Sequence, residues 1–195
     1  MNKANIVFCL LLVVSQCTYI NPSHCAHCTS NNNFVAGGNN HVSGSGNGII
    51  GSYNTQNGYN NKAIGYHNYQ HGSNNLAAGI GNQQIGYQNV GIGVGNYQHG
   101  SGNNAYGIQN KQVGYGNNAA GAFNTQIGVK NNAYGAYNTQ VGSGNQASGS
   151  FNTQVGNLNK GIGVGNLQIG DKNDAYGAFN TQIGCGNGAY GIGNT

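Results

Sequence analysis

From residue 33 to residue 195 an asparagine returns at every seventh position, and a glycine follows four residues after each. The asparagines run Asn33, Asn40, Asn47, Asn54 and on through Asn180, Asn187 and Asn194; the glycines run Gly37, Gly44, Gly51 and on through Gly184 and Gly191. A disordered tract has no reason to hold such a phase. A solenoid does, because one inserted residue would misalign every coil stacked upon it. Order therefore outweighs composition: the same Gly, Asn, Tyr and Gln taken without register would suggest a prion-like segment.

A seven-residue period also fits a coiled coil, but the chemistry excludes one. Glycine costs nearly ~1 kcal/mol relative to alanine in a helix, and with charged residues at 4% there are no flanking ion pairs to set a helical seam. The residue before each glycine is instead often a strand-favouring aliphatic: Ile85, Ile92, Val113, Ile127, Val141, Val155, Ile162, Ile169, Ile183. Glycine and asparagine supply the backbone angles of tight turns.

Two residues before the glycine, the two halves differ. Gln56, Gln70, Gln84 and so on to Gln182 occupy one half; Ala63, Ala77, Gly91 and so on to Ala189 occupy the other. The unit is therefore fourteen residues, two short strands and two turns. The expected fold is an all-β parallel β-solenoid, or β-roll, with about 11 or 12 coils and a length of roughly 55 Å at about 4.8 Å per stacked strand. The glutamines should hydrogen-bond in a ladder and the asparagines should do the same at the turns. The thin core is expected in the aliphatic column of the glutamine half. Asn57 and His71 fall in that column, so the N-terminal coils should be looser. The matching column of the other half, with Tyr106, Ala120, Tyr134, Ser148, Ile162 and Tyr176, is either interlocked packing or an exposed tyrosine row.

Stretches such as "QIGVKNNAYGAYNT" and "QIGDKNDAYGAFNT" resemble the head repeats of trimeric autotransporter adhesins, over residues 50–195. The resemblance implies a left-handed parallel β-roll and hints at surface binding, since heads of that family bind host matrix as trimers. No neck, coiled-coil stalk or membrane barrel accompanies the repeats here.

Ahead of the repeats, Lys3, the apolar run Ile6–Val14 and Ser15-Gln16-Cys17 describe a secretory signal peptide over residues 1–17. The run is too short to span a bilayer, which takes about 20 residues. A secreted, extracellular protein is expected, with no transmembrane segment. Residues 18–32 form a Cys/His-containing segment, a cap or linker to the repeat domain 33–195. In it, Cys25 and Cys28 alternate with His24 and His27. An oxidising compartment favours disulfides, a local one between Cys25 and Cys28 or pairing with another chain, over a zinc site of two thiolates and two imidazoles. Cys185 is left unpaired in this scheme.

Nothing in the repeats assembles a reaction. Asp171 and Asp174 are the only acids, and both fall in one variable turn. His71 and His99 occupy equivalent positions two coils apart, with His67 near them; a metal-binding patch is weighed there against ordinary surface positions. Pieces such as "GIGVGN" belong to the repeat frame and lack the helix a nucleotide loop needs. A formal charge of +4 spread along the chain makes no basic patch, so nucleic acid is not an expected partner. No enzyme, cofactor or metal is expected.

The function expected is a secreted structural or adhesive rod that self-associates into an oligomer or fibre. Low charge removes repulsion, the chain stops within the repeat frame, and repeated tyrosines offer sticky surface. An adhesin-like head binding extracellular matrix is one alternative. Another is an ice-binding (antifreeze) protein, because Thr125, Thr139, Thr153, Thr181 and Thr195 fall in one column, interrupted by Leu167.

Overall fold

A computed structural model describes residues 32–195 in full and the backbone of residues 25–28. The expected signal peptide, and the side chains of His24, Cys25, His27 and Cys28 with their disulfide or metal chemistry, lie outside the described residues.

The described chain forms 24 short strands in two parallel sheets of 12 strands each, with alternate strands going to alternate sheets. Each strand pairs with the one fourteen residues on: Thr125 with Thr139 and Gln126 with Gln140 in one sheet, Ala133 with Ala147 in the other. This is the all-β parallel solenoid with fourteen-residue coils, and no helix occurs among the described residues. The strand Cys25–Cys28 extends the glutamine-bearing sheet ahead of Asn40–Ser45.

Which columns face inward departs from the sequence expectation. The aliphatic column lies outside, with Ile127 42% and Val155 40% exposed, while Gln126 and Gln154 are fully buried. The interior is one side chain deep, which explains the inversion. Gln126 Nε2 crosses it to donate to the Asn118 carbonyl of the opposite sheet at 2.8 Å. It also donates to Gln140 Oε1 of the next coil at 2.9 Å. A Cβ placed on Gly91 would stand 2.8 Å from Gln98 Oε1, so the space opposite the glutamines is tight, and from Ala63 onward that column holds only alanine or glycine. An unsatisfied buried amide costs about 1–3 kcal/mol. The ladder avoids that cost by giving each glutamine from Gln56 to Gln168 an acceptor in the next coil.

The first coils are filled differently. Val42 stands in the glutamine column and Ile49 in the alanine column. With Ala63 and the flanking Val35 they make a small apolar plug. Asn57 and His71 point outward and do not disturb it. One seam results: glutamines donate toward higher residue numbers, so Gln56 Oε1 should accept from position 42, where valine has nothing to donate. It is the one buried side-chain oxygen without a hydrogen-bond partner among the described residues.

Asparagine columns close both turns. Asn131 Oδ1 accepts from the backbone N–H of Asn145 at 3.1 Å and from its Nδ2 at 3.2 Å. Asn131 Nδ2 in turn donates to Gly142 O at 2.9 Å. The side-chain bonds between successive asparagines donate toward lower residue numbers, as Asn131 Nδ2 does to Asn117 Oδ1 at 3.2 Å, opposite to the glutamine ladder. The residue preceding each asparagine is left-handed. Glycine and asparagine fill many of these sites, but so do Phe123, Tyr137 and Phe151, at φ 56 to 59. Each of their N–H groups reaches the carbonyl fifteen residues back, as Tyr137 does to Ala122 at 3.0 Å.

Candidate functional surface

With amides inside, the rod's chemistry is carried by its outer faces. In each five-residue strand of the glutamine sheet the first and third residues point outward, as in Thr125 and Ile127 around buried Gln126. Two columns therefore run side by side along the rod. Thr125, Thr139, Thr153, Leu167 and Thr181 are Cα partners in succession. Beside them Ile127, Val141, Val155, Ile169 and Ile183 pair in the same way. Rows repeat at about 4.8 Å along the rod and about 6.7 Å across it, the latter being two residues of strand rise.

All five threonines were expected in one column. Thr125, Thr139, Thr153 and Thr181 are half-buried in register, with Leu167 between the last two; Thr195 follows the final strand and is exposed. The aliphatic column as the outward partner of the threonines was not anticipated. Its signal in the sequence is variability. Positions 56 to 182 hold glutamine in every coil, whereas the next column holds Asn57, His71, Ile85, His99 and Val113 before it settles into Ile and Val.

The opposite sheet presents a rougher face. Tyr106, Ala120, Tyr134, Ser148, Ile162, Tyr176 and Tyr190 form one outward column. Large beside small leaves a dimple of about 300 Å³ between Tyr134 and Ile162 over Ser148. Of the two readings of this column, the exposed row holds. Tyr176 and Tyr190 stack with ring centres 5.2 Å apart and planes 2° from parallel. Lys160 Nζ lies 5.2 Å from the Tyr176 ring centre, and hydrogen bonding to that phenol raises its pKa above the ordinary lysine value.

A third feature runs along one turn, where Phe123, Tyr137 and Phe151 stack at 4.8 Å and 5.0 Å. His67 belongs to this turn column and not to the neighbourhood of His71 and His99. Its ring packs against Tyr66 at 4.3 Å and Tyr53 at 5.2 Å, which corrects the expected histidine patch. His71 and His99 stand outward on the glutamine sheet with Ile85 between them. Asp171 and Asp174 do not share a turn but bracket one, closing strand Leu167–Asp171 and opening strand Asp174–Ala178. Asp171 Oδ1 accepts from the N–H and Nδ2 of Asn157 at 2.8 Å and 3.0 Å.

The fold and the faces define the class: a parallel β-solenoid with an amide interior and a partly apolar exterior. No protein-family description matches the chain, and no curated protein is measurably similar to it.

Proposed function

We propose that this protein is a secreted, non-enzymatic structural or adhesive rod that self-assembles by laying the outer faces of its glutamine sheets together. The observation that carries this is the exposed aliphatic column Ile127, Val141, Val155, Ile169 and Ile183, continued by half-buried Val113, on a regular sheet. Contiguous exposed apolar surface of that kind marks an interaction site. A second copy is the occupant that fits. At about 4.8 Å by 6.7 Å per outward position the aliphatic column alone covers about 190 Å² and the whole sheet face about 900 Å², against the ~800 Å² per partner of a stable interface. Two identical faces related by a two-fold axis bury the same columns on both chains, and a chain with 4% charged residues offers little repulsion. The resemblance to autotransporter heads fits the same use of the faces, with matrix or sister chains as the contacting surface.

Light scattering across a concentration series tests this. Dimers or higher oligomers are expected, and Val141→Lys with Val155→Lys should return the rod to monomer, since each lysine places an unpaired charge in the seam. A wild-type monomer at every concentration, or lysine variants that assemble normally, would overturn the reading.

The threonine column favours a second reading, ice binding. Methyls and hydroxyls at Thr125, Thr139 and Thr153 repeat on a rigid lattice in register, which can hold water in an ordered array. Purified protein should then show thermal hysteresis, abolished in Thr139→Lys; no hysteresis at millimolar concentration disposes of it.

A further inference from the structure

We propose that Tyr176 and Tyr190 form an oxidative cross-linking site, in which a peroxidase and hydrogen peroxide join the two phenols of one chain into a carbon–carbon-bonded dityrosine. The two residues are Cα partners in neighbouring coils, and their rings lie face over face at 5.2 Å with planes 2° apart. The ortho carbons beside each hydroxyl therefore face one another. Tyr190 is 71% exposed, so an oxidant reaches it and its ring has room to swing inward.

The step balances. Each phenol gives its hydroxyl hydrogen atom, a proton and an electron, to the oxidant. The two phenoxyl radicals join through their ortho carbons. Each ring then regains aromaticity as its ortho hydrogen moves to its oxygen. Hydrogen peroxide accepts the two hydrogen atoms and becomes two waters. The product carries two hydrogens fewer than the starting chain and a covalent staple between successive coils.

The composition directs oxidation toward tyrosine. The chain has 13 tyrosines, no tryptophan, and one methionine at position 1; among the described residues the exposed thiol of Cys185 is the competing group. Other ring contacts are less suited. Tyr137 is sandwiched between Phe123 and Phe151, so no phenol faces it. Tyr53 and Tyr66 cross at 66°, with His67 against both rings. Tyr59, Tyr87 and Tyr115 share a column but alternate with Ser73 and Ser101. The proposal does not depend on lateral assembly, because both phenols belong to one chain.

The experiment is oxidation of the dilute, thiol-alkylated protein by horseradish peroxidase and peroxide, followed by peptide mapping and measurement of biphenol fluorescence. A cross-linked peptide joining residues 176 and 190, lighter by two hydrogens, is expected as the main intramolecular product. Tyr190→Phe keeps the stacked ring and removes the phenol; it should abolish that peptide while circular dichroism stays unchanged. Tyr137→Phe should leave the yield as in the wild type. Absence of the 176–190 peptide while other tyrosines couple, or its equal yield from protein unfolded in guanidinium, would overturn the proposal. Assembly is read separately by light scattering, so failure of one idea is distinguishable from failure of the other.

Discussion

Gly128→Ala should break the rod in its middle, while the same substitution at Gly184 should cost far less. Gly128 has φ +124, a region that is essentially glycine-only, with a strain of order ~1–3 kcal/mol for other residues. A second effect adds to this. A Cβ at Gly128 would overlap the carbonyl oxygen of Gly142 in the next coil. That oxygen belongs to the backbone and cannot turn aside, so the two coils must separate and their hydrogen bonds lengthen. Gly184 has nearly the same backbone, φ +118, but the nearest atom to its added Cβ is Asn187 Nδ2 at 3.4 Å. Only the conformational strain remains there. Thermal unfolding of the two variants should differ by more than about 2 kcal/mol, on the scale of one added backbone clash. Because each coil touches only its neighbours, Gly128→Ala should also split unfolding into two transitions, visible as separate calorimetric peaks. Equal losses at the two sites would mean that strain alone, and not stacking, holds glycine in the frame.

The same contrast explains how much of this fold is legible in the sequence. The strict return of Asn and Gly announces the solenoid, its coil length and its two turns, because those two columns serve backbone geometry that is the same in every coil. Inside and outside are harder to tell apart. The usual rule places Ile and Val inward, and an interior deep enough for an aliphatic layer would obey it. Here the glutamine amide reaches the opposite backbone, as Gln98 Nε2 does to Val90 O at 2.7 Å, and no room is left for a second layer. The usable signal was constancy along the columns. Gln56 through Gln182 never vary, whereas the column beside them tolerates Asn57, His71 and His99 as readily as Ile127. A position that accepts all four faces solvent. The aromatic turn residues were illegible for another reason. Left-handed φ is expected of Gly and Asn, and nothing local marks Phe123, Tyr137 or Phe151 as exceptions until coils are stacked and their rings support one another.

Asn131→Ala should be nearly as damaging as Gly128→Ala, by an electrostatic route. The substitution removes the oxygen that accepts the backbone N–H of Asn145, and both residues are fully buried. That N–H is left without its acceptor where water does not reach. Gly142 O loses the donor that held it at 2.9 Å, and Asn117 Oδ1 loses one of its two, keeping the Asn131 N–H at 3.1 Å. At about 1–3 kcal/mol per stranded buried group, the loss should reach about 3–5 kcal/mol. Thr125→Ala, on the outer face, should stay within about 0.5 kcal/mol of the wild type, as surface changes away from special contacts do. The sharper comparison is Asn131→Asp, which keeps shape and acceptor but turns the donor into a second oxygen. It would face Gly142 O and Asn117 Oδ1 with a negative charge. If the ladder works by alternating donor and acceptor, Asp should be at least as destabilising as Ala at pH 7 in urea unfolding. It should recover part of the loss at low pH, where the protonated carboxyl again has a hydrogen to donate. An Asp variant as stable as the wild type at pH 7 would mean that the asparagine column fills space and does not carry the turn.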